Sequence, residues 1–81
     1  MEKKRALLEV AEEVLGLPQD EMAENLSLDL FDNELIDSLG CMSMMASLGD
    51  KLGVEIPIEQ FTPDDFVSLA SMLDALQRIG L

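Results

Sequence analysis

Histidine, tryptophan and tyrosine are missing from this chain, and cysteine occurs once. Without histidine there is no Ser-His-Asp or Cys-His pair for nucleophilic catalysis, and the commonest zinc ligand is gone. The lone Cys41 cannot close an intrachain disulfide, so packing alone must hold the fold. Basic side chains are scarce: 5 Lys and Arg face 17 Asp and Glu, a net charge of −12. Such a surface repels nucleic acid and anionic membrane. No apolar run approaches the ~20 residues of a membrane span. Acids at Glu9, Glu12 and Glu13 break the stretch after Lys3, Lys4 and Arg5 before a signal-peptide core can form. These absences point to a soluble, cytoplasmic, monomeric protein. They leave no nucleic-acid partner, no membrane insertion, no resident metal site and no enzymatic apparatus of its own.

What is present can build a core. Of 81 residues, 48% are hydrophobic, enough for one small domain over residues 1–81. Leu7, Val10, Ala11 and Val14 fall at i, i+3, i+4 and i+7, with Leu8 and Leu15 beside them. That spacing predicts a helix over roughly 3–15, closed by Gly16 with Pro18 just beyond. A long connection follows from Leu17 to Asp37. It exceeds the ~12–15 residues of an ordinary structureless loop, so it should be functional or tied down. Leu26, Leu28, Leu30, Phe31, Leu35 and Ile36 can tie it to the core, and Met22 can add a helical turn.

A second main helix is predicted over roughly 38–52, with Gly53 after it. Cys41, Met45, Leu48 and Leu52 form its apolar stripe, flanked by Met42 and Met44. Ser43, Ser47, Asp50 and Lys51 lie opposite, and Leu39 and Ala46 fall on the border. Val54, Ile56 and Ile58 alternate, but Pro57 and the lack of a partner strand make this an extended connector. Thr62-Pro63-Asp64-Asp65 reads as a cap and a brief helical turn ending near Phe66. Ser68 caps a last helix over roughly 69–79, with Leu69, Met72, Leu73, Leu76 and Ile79 on its apolar side. The expected fold is all-α: a small four-helix bundle of three main helices and one short one, with a long loop between the first two main helices.

The acidic loop invites a calcium site, but no EF-hand register survives. Starting at Asp29 puts Phe31 at the third ligand position, and starting at Asp32 puts Ile36 at the fifth. The other paired carboxylates fit a solvated face better than acid–base work. Cys41 sits on an apolar stripe and reads as a core thiol, not a nucleophile. Ser38 differs. It opens a helix at the end of a long acidic loop, where its hydroxyl should be at the surface and able to cap the helix.

Leu30-Phe31-Asp32, then Leu35-Ile36-Asp37-Ser38-Leu39-Gly40, then Leu52-Gly53-Val54-Glu55-Ile56-Pro57 together resemble the acyl carrier and peptidyl carrier protein family. Helix order, length and acidity agree over essentially the whole chain. The resemblance implies a carrier, not an enzyme. It would hold acyl or aminoacyl intermediates as thioesters on a 4′-phosphopantetheine arm, attached to Ser38 from coenzyme A, and deliver them to partner enzymes. Asp37 would assist attachment, and Leu39, Met42 and Ala46 would meet partners. Those partners would be a phosphopantetheinyl transferase, an acyl- or aminoacyl-activating ligase, and a downstream acyltransferase or synthase. The service could be fatty-acid, polyketide, peptide or aminoacyl chemistry. The Leu-Phe-Asp and Asp-Ser-Leu-Gly wording is also similar to D-alanyl carriers, although Asp64 to Ser68 lack the tryptophan associated with them. Glu34 stands where many members have glycine, and Ser43 and Ser47 replace the acids that fatty-acid carriers show there. Met1 and the lack of flanking linkers lead to the expectation of a free-standing protein. The alternative from another class is an unmodified acidic adaptor that keeps the fold and binds a partner.

Overall fold

Three amphipathic stretches and one short one become the α-helices of the protein. The computed structural model describes residues 2–81. Helix α1 spans Lys3–Leu15, α2 Gln19–Glu24, α3 Ser38–Leu52 and α4 Leu69–Arg78. Two 3₁₀ turns, Ile58–Gln60 and Pro63–Phe66, lie between α3 and α4, and there is no strand among the described residues. The fold is the expected small all-helical bundle. The short α-helix falls within the long connection, where Met22 is buried, and the turn at 63–66 is 3₁₀.

Helix α1 buries Ala6, Leu7, Val10 and Ala11 and ends at Gly16, whose φ of 72° is the left-handed closure that glycine adopts without strain. Helix α3 buries Cys41, Met44, Met45 and Leu48, and α4 buries Leu69, Met72, Ala75 and Leu76. Helices α1 and α3 are the principal packing pair. Helix α1 covers one flank of α3, so Met44 is fully enclosed while Met42, on the other flank, is 57% exposed. The same packing corrects the placing of Lys51 on the solvent side. Its ammonium lies 3.0 Å from Glu13 and 3.6 Å from Glu9 of α1. The Glu13 hydrogen bond leads the effects that raise its pKa above the ordinary lysine value. Val14 and Leu52, both assigned to apolar stripes, are half-buried because each lies in the last turn of its helix.

The turn after α3 depends on Gly49. A Cβ there would lie 2.7 Å from the Val54 carbonyl oxygen. The chain reverses tightly across this point, and the Val54 N–H donates to the Gly49 carbonyl.

The long connection is tied down as expected, but not by every residue named. The Leu30 N–H donates to the Val67 carbonyl at 2.7 Å, and the Ala70 N–H to the Leu26 carbonyl at 2.8 Å. Leu30 is fully buried and Ile36 nearly so, whereas Phe31 is 40% exposed. Two successive residues of one tight turn cannot both point inward, and Leu30 takes the core. Glu34 has φ 56°, a left-handed conformation that costs a residue with a Cβ about 1–2 kcal/mol. That explains why glycine suits the position. Glu34→Gly should raise stability by about 0.5–1 kcal/mol, the strain relieved less the extra entropy glycine loses. Urea melts of the two proteins check the gain.

The 63–66 turn is locked by Asp65, which is nearly buried. Its carboxylate accepts from the Thr62 N–H at 2.8 Å and from the Arg78 guanidinium at 2.9 Å. The backbone bond first, and Arg78 next, outweigh the effect of burial and hold its pKa below the ordinary carboxylate value. A lowered folded pKa stabilises fully above the unfolded value of about 4, and that contribution is lost as pH falls through the folded value. The melting-temperature gap between wild type and Asp65→Asn should therefore be widest at neutral pH and close as the medium is acidified through the folded value.

Candidate functional site

The site is built at the N-terminus of α3, where the acidic loop turns into the helix. Asp37 is the cap. Its backbone is extended at φ −133°, and its Oδ1 accepts from the Gly40 N–H at 2.7 Å. This corrects the sequence expectation that Ser38 caps the helix. Ser38 is the first helical residue and is exposed, so its hydroxyl has no capping duty. Gly40 permits the close turn. A Cβ there would meet Asp37 Oδ1 and the Leu15 side chain at 3.2 Å each.

The first N–H groups of a helix have no intrahelical partner, and the aligned peptide dipoles leave this end positive. Asp37 satisfies the N–H of Gly40. Those of Ser38 and Leu39 point toward the end of the helix, beside the serine hydroxyl. The arrangement suits a phosphate ester on Ser38, because an anion there meets both the unpaired donors and the dipole.

Apolar surface surrounds the hydroxyl. Leu39 is 77% exposed, Met42 and Phe31 are exposed as well, and Ala46 is exposed further along the helix. An open cleft of about 300 Å³ runs beside Ser38, walled by Phe31, Cys41, Met42, Phe61 and Phe66. Phe61 and Phe66 stack at 5.3 Å between ring centroids and form its far wall. Cys41 is buried at the base of this cleft. Burial first, and the Asp37 charge second, push its thiol pKa above the ordinary value. It is therefore a poor nucleophile, as its place on an apolar stripe implied.

Ser38, Asp37, Leu39 and Met42 thus lie together around one helix end, with Ala46 about two turns on. Sequence reasoning missed two features of the site. One is Phe31 as part of its wall, which its adjacency to the buried Leu30 could have signalled. The other is the aromatic pair from the 58–66 segment, for which the sequence carries no signal, because that segment returns to α3 only through tertiary packing.

Comparison with known proteins covers nearly the whole chain. The family model described as "Phosphopantetheine attachment site" matches residues 5–76. The chain is similar to the D-alanyl carrier protein of Listeria monocytogenes serotype 4b, 26% identical over 73 residues, which are 90% of this chain and 91% of the relative. It is similar to the D-alanyl carrier protein of Bacillus velezensis, 27% identical over 79 residues, covering 98% and 99%. The D-alanyl carrier protein of Lactobacillus helveticus is 25% identical over 80 residues, covering 91% and 98%. No solved structure matches significantly.

Proposed function

The chain belongs to the phosphopantetheine attachment site family, and from that premise we propose that Ser38 takes the arm and that the cargo is an activated amino acid, D-alanine first among the candidates. It is a carrier with a covalent 4′-phosphopantetheine, not an enzyme. The observation that carries the assignment to Ser38 is its exposure at the first position of α3 while Asp37 does the capping. The relatives are named for D-alanine, which favours an aminoacyl cargo over a fatty acyl one.

The residues present suit the group. Unpaired helix N–H donors and the dipole favour the phosphodiester anion, and the apolar cleft beside Ser38 offers a wall to the organic part of the arm. When attached, the arm supplies a terminal thiol that holds the cargo as a thioester. The Ser38 hydroxyl has no histidine to activate it, so the base must come from a separate transferase. Asp37 stands next to it, where its carboxylate can help position a divalent cation during attachment. Leu39, Met42 and Ala46 offer the apolar contact surface for that transferase, for an aminoacyl-activating ligase and for a downstream acyltransferase. The net charge of −12 steers basic partners toward the protein.

Incubation with coenzyme A, Mg²⁺ and a broad-specificity phosphopantetheinyl transferase should add the mass of one phosphopantetheinyl group. An unchanged mass contradicts the reading. Subsequent ATP-dependent loading should favour D-alanine over long-chain acids, and the reverse order overturns the choice of cargo.

A further inference from the structure

The chain carries six methionines, and the fold divides them. Met22, Met44, Met45 and Met72 are buried in the core, none more than 4% exposed. Among the described residues only Met42 opens its thioether side chain to solvent, at 57% exposure. That difference decides reactivity. A thioether sulfur is oxidised where a peroxide can reach its lone pair, and packing closes the four core sulfurs to it. The thiol of Cys41 is shut in the same way, at 5% exposure. The other large exposed apolar side chains, Phe31, Leu39 and Val54, have no sulfur to oxidise.

Position gives the Met42 sulfur a consequence. Met42 lies four residues after Ser38 in α3, one helical turn along the same side. Side chains so spaced have Cβ atoms ~5–6 Å apart. Met42 also walls the cleft beside Ser38, together with Phe31, Phe61 and Phe66. A transferase that reaches the Ser38 hydroxyl must cover this side chain. As a thioether it is flexible and apolar and suits an apolar contact. As a sulfoxide it carries a polar oxygen, which costs free energy to bury without a hydrogen-bond donor.

We propose that Met42 is a reversible oxidation site that switches off docking at Ser38 and leaves the fold intact. Its effect on docking rests on the carrier reading above, whereas the site of oxidation does not. In the forward step the sulfur lone pair attacks one oxygen of hydrogen peroxide. The O–O bond breaks, an S–O bond forms, sulfur gives up two electrons and water leaves. In the reverse step a methionine sulfoxide reductase supplies two electrons from a dithiol, which becomes a disulfide, and the oxygen leaves as water. Exposure serves both directions. A sulfoxide in the core would be closed to the reductase and would disrupt the packing.

The test treats the folded, arm-free protein with dilute hydrogen peroxide, removes the oxidant, and locates the added oxygen by tandem mass spectrometry. Oxygen should appear at Met42 roughly tenfold faster, or more, than at Met22, Met44, Met45 or Met72. The melting temperature should move by no more than ~4 °C, as for a surface change. Arm attachment by a phosphopantetheinyl transferase is then measured before and after treatment, for wild type and for Met42→Leu, which has no sulfur at this position. Peroxide should raise the wild-type KM for the carrier about fivefold or more, and methionine sulfoxide reductase should restore it. In Met42→Leu the treated and untreated values should agree, whatever the untreated value is. Faster oxidation of a core methionine overturns the site. Oxidation at Met42 that leaves KM unchanged, an equal rise in Met42→Leu, or a loss that the reductase does not restore overturns the switch while the carrier reading stands. If untreated wild type accepts no arm, the carrier reading falls, and the switch with it.

Discussion

Leu48→Ala should remove a large part of the protein's stability. Leu48 is fully buried in the middle of α3, in one core with Leu7, Val10 and Met44. Removing its branched end forfeits transfer free energy and opens a cavity that the bundle can only partly close, at a cost of about 2–5 kcal/mol. No disulfide offsets such a loss, because Cys41 is the only cysteine. A domain of 81 residues belongs near the lower end of the ~5–15 kcal/mol range of native stability. The cost is therefore a large part of the total. Urea titration followed by circular dichroism should show the midpoint fall steeply. A loss under about 1 kcal/mol would mean that Leu48 does not face the core.

Ser38→Ala should have the opposite profile: complete loss of arm attachment with almost no loss of stability. The hydroxyl is exposed and caps nothing, so its removal should cost within the ~0.5 kcal/mol typical of a surface substitution. Asp37→Ala should remove the bond to the Gly40 N–H and cost about 0.5–2 kcal/mol. The two neighbours thus separate attachment from capping. Melts and intact masses of both variants measure that separation. If Ser38→Ala destabilised more than Asp37→Ala, the capping assignment at this helix end would be wrong.

Much of this was legible in the sequence because the main signals are local. The limits of α1 and α3 follow from apolar spacing and from Gly16 and Gly53, both of which close their helices at positive φ. Ser68 caps α4 as expected, accepting from the Ser71 N–H. Less legible features depend on which neighbour covers which flank. Met42 and Met44 flank the same stripe symmetrically, and only the position of α1 decides that Met44 is enclosed and Met42 exposed. Lys51 looks like a solvent residue until α1 brings two carboxylates to it. Asp37 and Ser38 are both good caps by residue type. Their order is settled by where the extended backbone ends, one residue earlier than the serine suggested. The aromatic wall of the cleft comes from a segment more than twenty residues downstream of Ser38, beyond any spacing rule.

The most direct measurement is peptide mapping of the protein after treatment with coenzyme A and a phosphopantetheinyl transferase. The added group should reside on the peptide containing Ser38, on the serine itself. Modification at another residue, or none on a folded sample, contradicts the placement of a swinging arm at the head of α3.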